Sequence, residues 1–225
     1  MNLRFVSAGA AQGLVRGVGA REGVAIDGQF GAVGAMRDAL RGGAACDVVI
    51  LTQAQVAEMV AAGEVERETV ADLGRVATAI AVRESDPVPR VHDAPSLREA
   101  LLAADALYFP DPERATAGKH FVHVLRTLGI YDTVALRFRP GPHGAAAMAT
   151  MAQADGHPIG CTQATEILAT AGVRLVAPLP LGLDLRTTYT AAVHARAGHA
   201  EDARRFVRTL ASAALADMRR KAGFE

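Results

Sequence analysis

Tryptophan is missing from this 225-residue chain, and aromatic residues make up only 4% of it. Stacking on nucleic-acid bases or sugar rings is therefore not a mode of recognition this sequence is built for. There is no excess charge of either sign, with 24 Lys and Arg against 24 Asp and Glu. That removes the electrostatic case for nucleic acid or an anionic membrane surface. Cys46 and Cys161 are the only cysteines, and neither has a CxxC or Cys/His spacing. No metal site and no cofactor are expected; two buried free thiols are, with a disulfide between them left open. No apolar run reaches the roughly 18 residues of a membrane span, so no membrane insertion is expected. The first residues, MNLRFVSAGAAQGLVRGVGA, place Arg4 and Arg16 where a signal peptide has its apolar stretch. They read as a first strand over 3–7. The expected location is cytoplasmic if Met1 is the native start, and periplasmic if a signal peptide has been removed.

Half of the residues are hydrophobic, and the length suffices to bury a sizeable core as one large domain or two small lobes. Short β-rich runs alternate with helical patterns. Leu3–Ala8 leads into a helix with Leu14, Val15 and Val18 on one face. GVAIDGQF (23–30) leads into GAMRDALRGG, a helix ended by two glycines. CDVVIL (46–51) is a near-continuous apolar run, the signature of a strand covered on both faces, and it feeds the helix QAQVAEMVAAG. RVATAIAVR (75–83) is a further strand. This order predicts a βα repeat on a parallel sheet.

The pattern breaks at ESDPVPRVHDAPS (84–96), which has three prolines and no apolar periodicity. SLREALLAA then reads as a helix capped by Ser96 with Glu99 three residues on. ALYFP (106–110) is a short strand, AAAMATMAQ a small-residue helix, and HPIGCTQATEIL a strand, turn and helix. VRLVAPLP (173–180) and TTYTAAVHA (187–195) are strands, and an amphipathic helix closes the chain.

The stretch DPERATAGKHFVHVLRTLGI (111–130) bears on ligands. A helix with Phe121, Val122, Val124, Leu125 and Leu128 at apolar spacing is entered through Ala115, Thr116, Ala117 and Gly118. A helix start carries unpaired N–H groups and a partial positive charge, and small residues let an anion approach them. The plain alternative is an ordinary helix start capped by Asp111 or Thr116.

In order, FVSAGAAQGL, FGAVGAMRDALRGGAACDVVIL, AVRESDP, DPERATAGKHFVHVLRTLGI, IGCTQATEIL, LVAPLPLGLDLRTTYTAAV and the closing ARRFVRTL…AGF run nearly end to end. Together they resemble the type II periplasmic solute-binding fold, in the molybdate-binding-protein-like branch of ABC importers. The resemblance implies an α/β fold of two lobes with a ligand cleft between them, walled by strand–helix turns. It implies a lobe of about 1–82 plus 183–225, a second of 83–182, a small anionic ligand and an ABC permease as partner. Molybdate-binding members hold the oxyanion with two serines and a tyrosine. The corresponding positions here lie near Gly9, at Ala32-Val33-Gly34 and in Gly160-Cys161-Thr162-Gln163, with Ser7 close by. Backbone N–H groups without hydroxyl donors suit an organic acid better than molybdate. Its body would rest against Phe30, Val33 and Leu181.

The candidate binding residues are thus Ser7, Gly9, Ala10, Phe30, Gly31, Ala32 and Val33, then Arg83, Asp111, Thr116, Ala117, Gly118, His120, Thr162, Gln163 and Glu166. Arg83 offers a bidentate clamp for a carboxylate or a rim salt bridge. Gln163 follows a strand end, where open α/β sheets bind ligands, and offers a donor. Thr162 and Glu166 also read as a cap and a first-turn acid. His120 and His123, three apart, share a helix face without further metal ligands nearby. His92 and His143 lie in Pro-rich loops and read as solvated.

Two functions compete. One is a solute-binding protein; the other is an enzyme on the same fold, an isomerase or decarboxylase of a small carboxylic acid, with Glu166, His120 and Asp111 as acid–base groups. A sensor domain of a transcription regulator is disfavoured because no helix-turn-helix precedes the first strand.

Overall fold

The computed structural model describes residues 2–225. They divide into two compact units, Met1–Val76 with Thr187–Glu225, and Ala77–Arg186.

In the first unit, β1 (Asn2–Ala8) pairs in parallel with β2 (Ala25–Gly31) and β3 (Val48–Thr52), and β9 (Arg186–Val193) runs antiparallel to β3. Helices α1 (Gln12–Glu22), α2 (Val33–Arg41) and α3 (Gln53–Ala61) each follow one of the three parallel strands. The helix α9 (Ala200–Ala211) buries Ala203, Phe206, Val207 and Leu210, the stripe expected of a helix on a sheet. Phe206 meets Phe5 of β1 edge-on at 5.5 Å. The C-terminal helical pattern stops at Ser212, and a separate short helix, α10 (Ala216–Lys221), follows.

In the second unit, β4 (Ala71–Arg83), which begins in the first, pairs antiparallel with β7 (Ile159–Gln163) and β8 (Val173–Pro178). The parallel order expected after β3 therefore does not continue: β4 has no helix returning it to its neighbours. Next come β5 (Leu107–Pro110), parallel to β7, and β6 (Phe138–Gly141), parallel to β5. FRPG carries no apolar alternation, which hid β6 in the sequence. The helices are α4 (Ala94–Ala103), α5 (Thr116–Thr127), α6 (Tyr131–Val134), α7 (Gly144–Met151) and α8 (Ala164–Leu168). The cap of α4 is Asp93 rather than Ser96. Its carboxylate accepts from Ser96 N at 2.8 Å while the serine hydroxyl accepts from Asp93 N, and Pro95 in the first turn lacks the N–H that would go unpaired. Leu97, Leu101, Phe109, Phe121, Val124 and Leu125 form the core with Ile80 and Cys161. Each such side chain contributes about 1.5–3 kcal/mol through burial.

Both cysteines are free and buried. Burial pushes the Cys46 thiol up to about 12 and the Cys161 thiol higher still, so neither is a nucleophile. Among the described residues no helix is long and apolar enough to cross a membrane.

Candidate functional site

Helix starts sort into two groups. Thr52, Asp93 and His143 cap α3, α4 and α7 with their side chains, and α6, α8, α9 and α10 each carry an acid in the first turn. Only α1, α2 and α5 have neither among the described α-helices. In α2 the first intrahelical bond is Met36 N to Ala32 O at 3.0 Å, so Val33, Gly34 and Ala35 N–H have no acceptor within the helix. In α5 it is Lys119 N to Ala115 O at 3.0 Å, which leaves Thr116, Ala117 and Gly118 in the same state. Ahead of α1, Gly9, Ala10 and Ala11 form a buried 3-10 turn with no capping side chain. All three starts follow the carboxyl end of a strand, β1, β2 or β5, each paired in parallel with a neighbour.

Around the turns of the first unit, Ser7 is fully buried and its hydroxyl donates to Ala8 O at 3.0 Å. Phe30 is half-buried, with the Arg16 guanidinium 5.5 Å from its ring centre. Gly31 is tight against the Met36 methyl, and Ala32 and Val33 are buried.

The second unit holds a polar cluster at the end of β7. Gln163, 3% exposed, has no partner for either side-chain amide atom among the described residues. Thr78 lies directly across from it in the β4–β7 register, a position that puts both side chains on one face of the sheet. The hydroxyls of Thr78 and of Thr165, two residues beyond Gln163, are likewise buried and unpaired. Both acceptor and donor capacity is thus left over at one spot.

Glu166 is different: its groups are taken. Its Oε2 accepts from Thr162 Oγ1 at 2.6 Å, and the backbone N–H groups of Gly144, Ala145 and Gln163 lie near its carboxyl. Burial pushes its pKa up, and these donors pull against that. A side chain at Gly144 would fall on Glu166 Oε2 and Thr162 Oγ1, so the glycine makes room for the pair. Glu166 is a buried acid set against the start of α7. His143, half-buried rather than solvated, accepts from Ala146 N at 3.3 Å on the same turn, and burial lowers its pKa.

Other candidates are also engaged. Arg83 is spent: it binds both oxygens of Asp86, at 2.8 and 2.7 Å, and donates to Ala154 O and Gly156 O. It ties the end of β4 to the loop before β7 and has no fork left for a carboxylate. Asp111 accepts from Glu113 N and Arg114 N at 2.7 and 3.0 Å and shapes the turn before α5. His120 Nε2 donates to Leu183 O at 2.7 Å, and His123 stacks obliquely with its ring 6.2 Å away. Leu181 is 95% exposed and packs on nothing. At Gly118 a Cβ would run into the backbone of Pro110 and Asp111, so its smallness serves helix-on-strand contact.

A family model described as bacterial extracellular solute-binding protein matches residues 7–225. The chain belongs to that family. Its fold is close to that of the periplasmic molybdate-binding protein of Azotobacter vinelandii, with a TM-score of 0.77 at 16% identity over 99% of this chain and 98% of the other. The sulfate-binding protein of Mycobacterium tuberculosis aligns with a TM-score of 0.72 at 19% identity, over 100% of this chain and 86% of that one. At such identities the likeness shows the fold alone. An aconitate isomerase from Pseudomonas sp is 26% identical over 167 residues, 74% of this chain. This solute-binding protein spans 62% of the length of that relative.

As a solute-binding protein it keeps uncapped helix starts where a side-chain hydroxyl would be one means of holding an anion. Thr78 and Thr165 escaped the sequence reading. The available signal was slight: Thr78 is the one hydroxyl within the apolar run VATAIAV.

Proposed function

We propose that this solute-binding protein takes a small organic acid and delivers it to an ABC-type permease, outside the cytoplasmic membrane. The observation that carries the proposal is the trio of helix starts, α1, α2 and α5, without a capping side chain or first-turn acid. Such starts favour an anion through N–H groups and dipole together. The polar cluster supports an organic ligand over a metal oxyanion. Gln163 presents a carbonyl oxygen as well as an amide N–H₂, and Thr78 can donate or accept. A tetrahedral oxyanion brings acceptors only and leaves Gln163 Oε1 facing negative oxygen. A carboxylic acid with a hydroxyl or a second, protonated carboxyl satisfies both. The distant likeness to aconitate isomerase points to the same ligand class.

Calorimetry with di- and tricarboxylic acids, hydroxy acids, molybdate and sulfate tests this. One carboxylic acid should saturate the protein at micromolar concentration, and molybdate should not; micromolar molybdate affinity would overturn the reading. Gln163→Leu should weaken the best acid at least about tenfold, or about 1.4 kcal/mol. The melting temperature should hold or rise, since the variant replaces a buried unpaired amide by an apolar group.

A second reading, isomerisation of a small carboxylic acid, is favoured by the same relative. Its acid–base candidates Glu166, His120 and Asp111 are all hydrogen-bonded within the protein. Proton NMR of cis- and trans-aconitate incubated with the protein in D₂O separates the two: interconversion above the blank that Glu166→Gln abolishes would establish the enzyme.

A further inference from the structure

The first unit contains a recess of 390 Å³, lined by Arg37, Leu40, Arg41, Glu64, His194 and Arg196. It lies at the opposite end of the parallel strands from the starts of α1 and α2. His194 directly follows β9, whose last residue, Val193, pairs with Val48 at the beginning of β3. Arg37 and Arg41, four apart, share one face of the last turns of α2.

The charges here are unbalanced. Three arginines face one acid, in a chain whose charges cancel overall. Arg37 is 9% exposed and donates through Nη1 to Glu64 Oε2 at 2.5 Å, while its Nε is buried without a partner. Glu64 is therefore committed. Arg41 and Arg196 are exposed, and neither guanidinium has a partner among the described residues. His194 adds no negative charge and accepts from Arg196 N at 3.2 Å through Nδ1. Asp47, the other acid that acts on His194, is paired with Arg4.

A plain account exists for part of this, since arginines near a helix C-terminus complement its dipole. It covers Arg41 but not Arg196, which lies beyond β9, nor the buried Arg37 whose fork is only partly used. Cations gathered round one recess repel one another, and a dianion relieves that repulsion while accepting from planar forks. We propose that this recess is a second anion site, taking a small doubly charged oxyanion of the phosphate or sulfate type. Arg41 and Arg196 hold it from the rim, and Arg37, paired with Glu64, forms part of the lining.

The test is calorimetry with inorganic phosphate, and separately sulfate, against a chloride control of equal ionic strength. Native protein, Arg41→Gln/Arg196→Gln and Gln163→Leu are compared. Because the two arginines are exposed, the double variant should melt with the native protein, and circular dichroism verifies that it does. The expected result is one saturable site for phosphate or sulfate, weakened at least tenfold in the double variant and unchanged in Gln163→Leu. No saturation by either ion at millimolar concentration would overturn the proposal. So would native affinity in the double variant, or loss of the site in Gln163→Leu, which would assign the ion to the β7 end instead.

Discussion

Gly118→Val should destabilise the protein by about 3 kcal/mol or more in urea unfolding, at the upper end of what overpacking costs. The first atom of any side chain there meets Pro110 O and Asp111 O. Those are backbone atoms at the end of β5, which is paired to β6 on one side and β7 on the other. Neither carbonyl can retreat without dragging a central strand, so the strain has no cheap outlet. Gly118→Ala should lose most of the same stability, because the offending atom is Cβ itself. Lys119→Ala, one residue on and exposed, should stay within about 0.5 kcal/mol of the native protein. A Gly118→Val protein that melts like the native one and merely loses its response to organic acids would return the glycine to a ligand role.

That glycine marks where the sequence stopped being legible. The segment 111–130 was readable as a helix with a small-residue entry, because apolar spacing and turn composition are local properties. Which way Gly118 faces is not local: it depends on β5 passing beneath α5. Arg83 teaches the same lesson. An arginine at the end of a strand looks free in one dimension, yet Asp86, Ala154 and Gly156 surround it, and two of those are more than seventy residues away.

A strand covered on both faces, β3, is visible as an apolar run, and the order of elements resembles the solute-binding family. The antiparallel place of β4 was not visible, since a strand's partner is written nowhere in its own residues. For the site, the absence of serine at Gly9 and Ala32 is plain, and the structure adds that, among the described α-helices, α1, α2 and α5 start with neither a capping side chain nor a first-turn acid. Gln163 was singled out as a donor following a strand. That Thr78 stands opposite it follows only from the β4–β7 register. Glu166 looked like a candidate base because a carboxylate near a strand end is what a site needs. Its neighbours at the start of α7, some twenty residues earlier, enclose it as a buried structural group.

Asp47→Asn should cost about 3 kcal/mol at neutral pH, with a pH dependence that identifies the cause. Asp47 lies just ahead of β3, its side chain wholly buried. One oxygen accepts from Arg4 N and Nε at 3.0 Å, and the other from Arg4 Nη2 at 2.8 Å and from Gly198 N and His199 N at 2.8 and 3.2 Å. It thereby joins the start of β1 to the chain entering α9. Burial alone would raise its pKa, but the Arg4 fork, the backbone donors and the Arg4 charge outweigh that and hold it well below the ordinary 3.8. A native value below the unfolded one means stability that is fully present above about 3.8 and is lost as the pH falls through the native value. Asparagine keeps the shape but turns an N–H₂ toward Arg4 or the backbone donors, and leaves the guanidinium without its counter-charge. Arg4 is a third exposed, so water recovers part of the loss, which keeps the figure at the low end for a broken buried pair. Urea unfolding of both proteins from pH 7 down to pH 3 gives the test. The gap should be constant above the ordinary carboxylate range and narrow below it, as the carboxylate of the unfolded chain takes up its proton while the native one stays ionised. A gap that stays the same to pH 3 would mean that Asp47 acts through shape and not through charge.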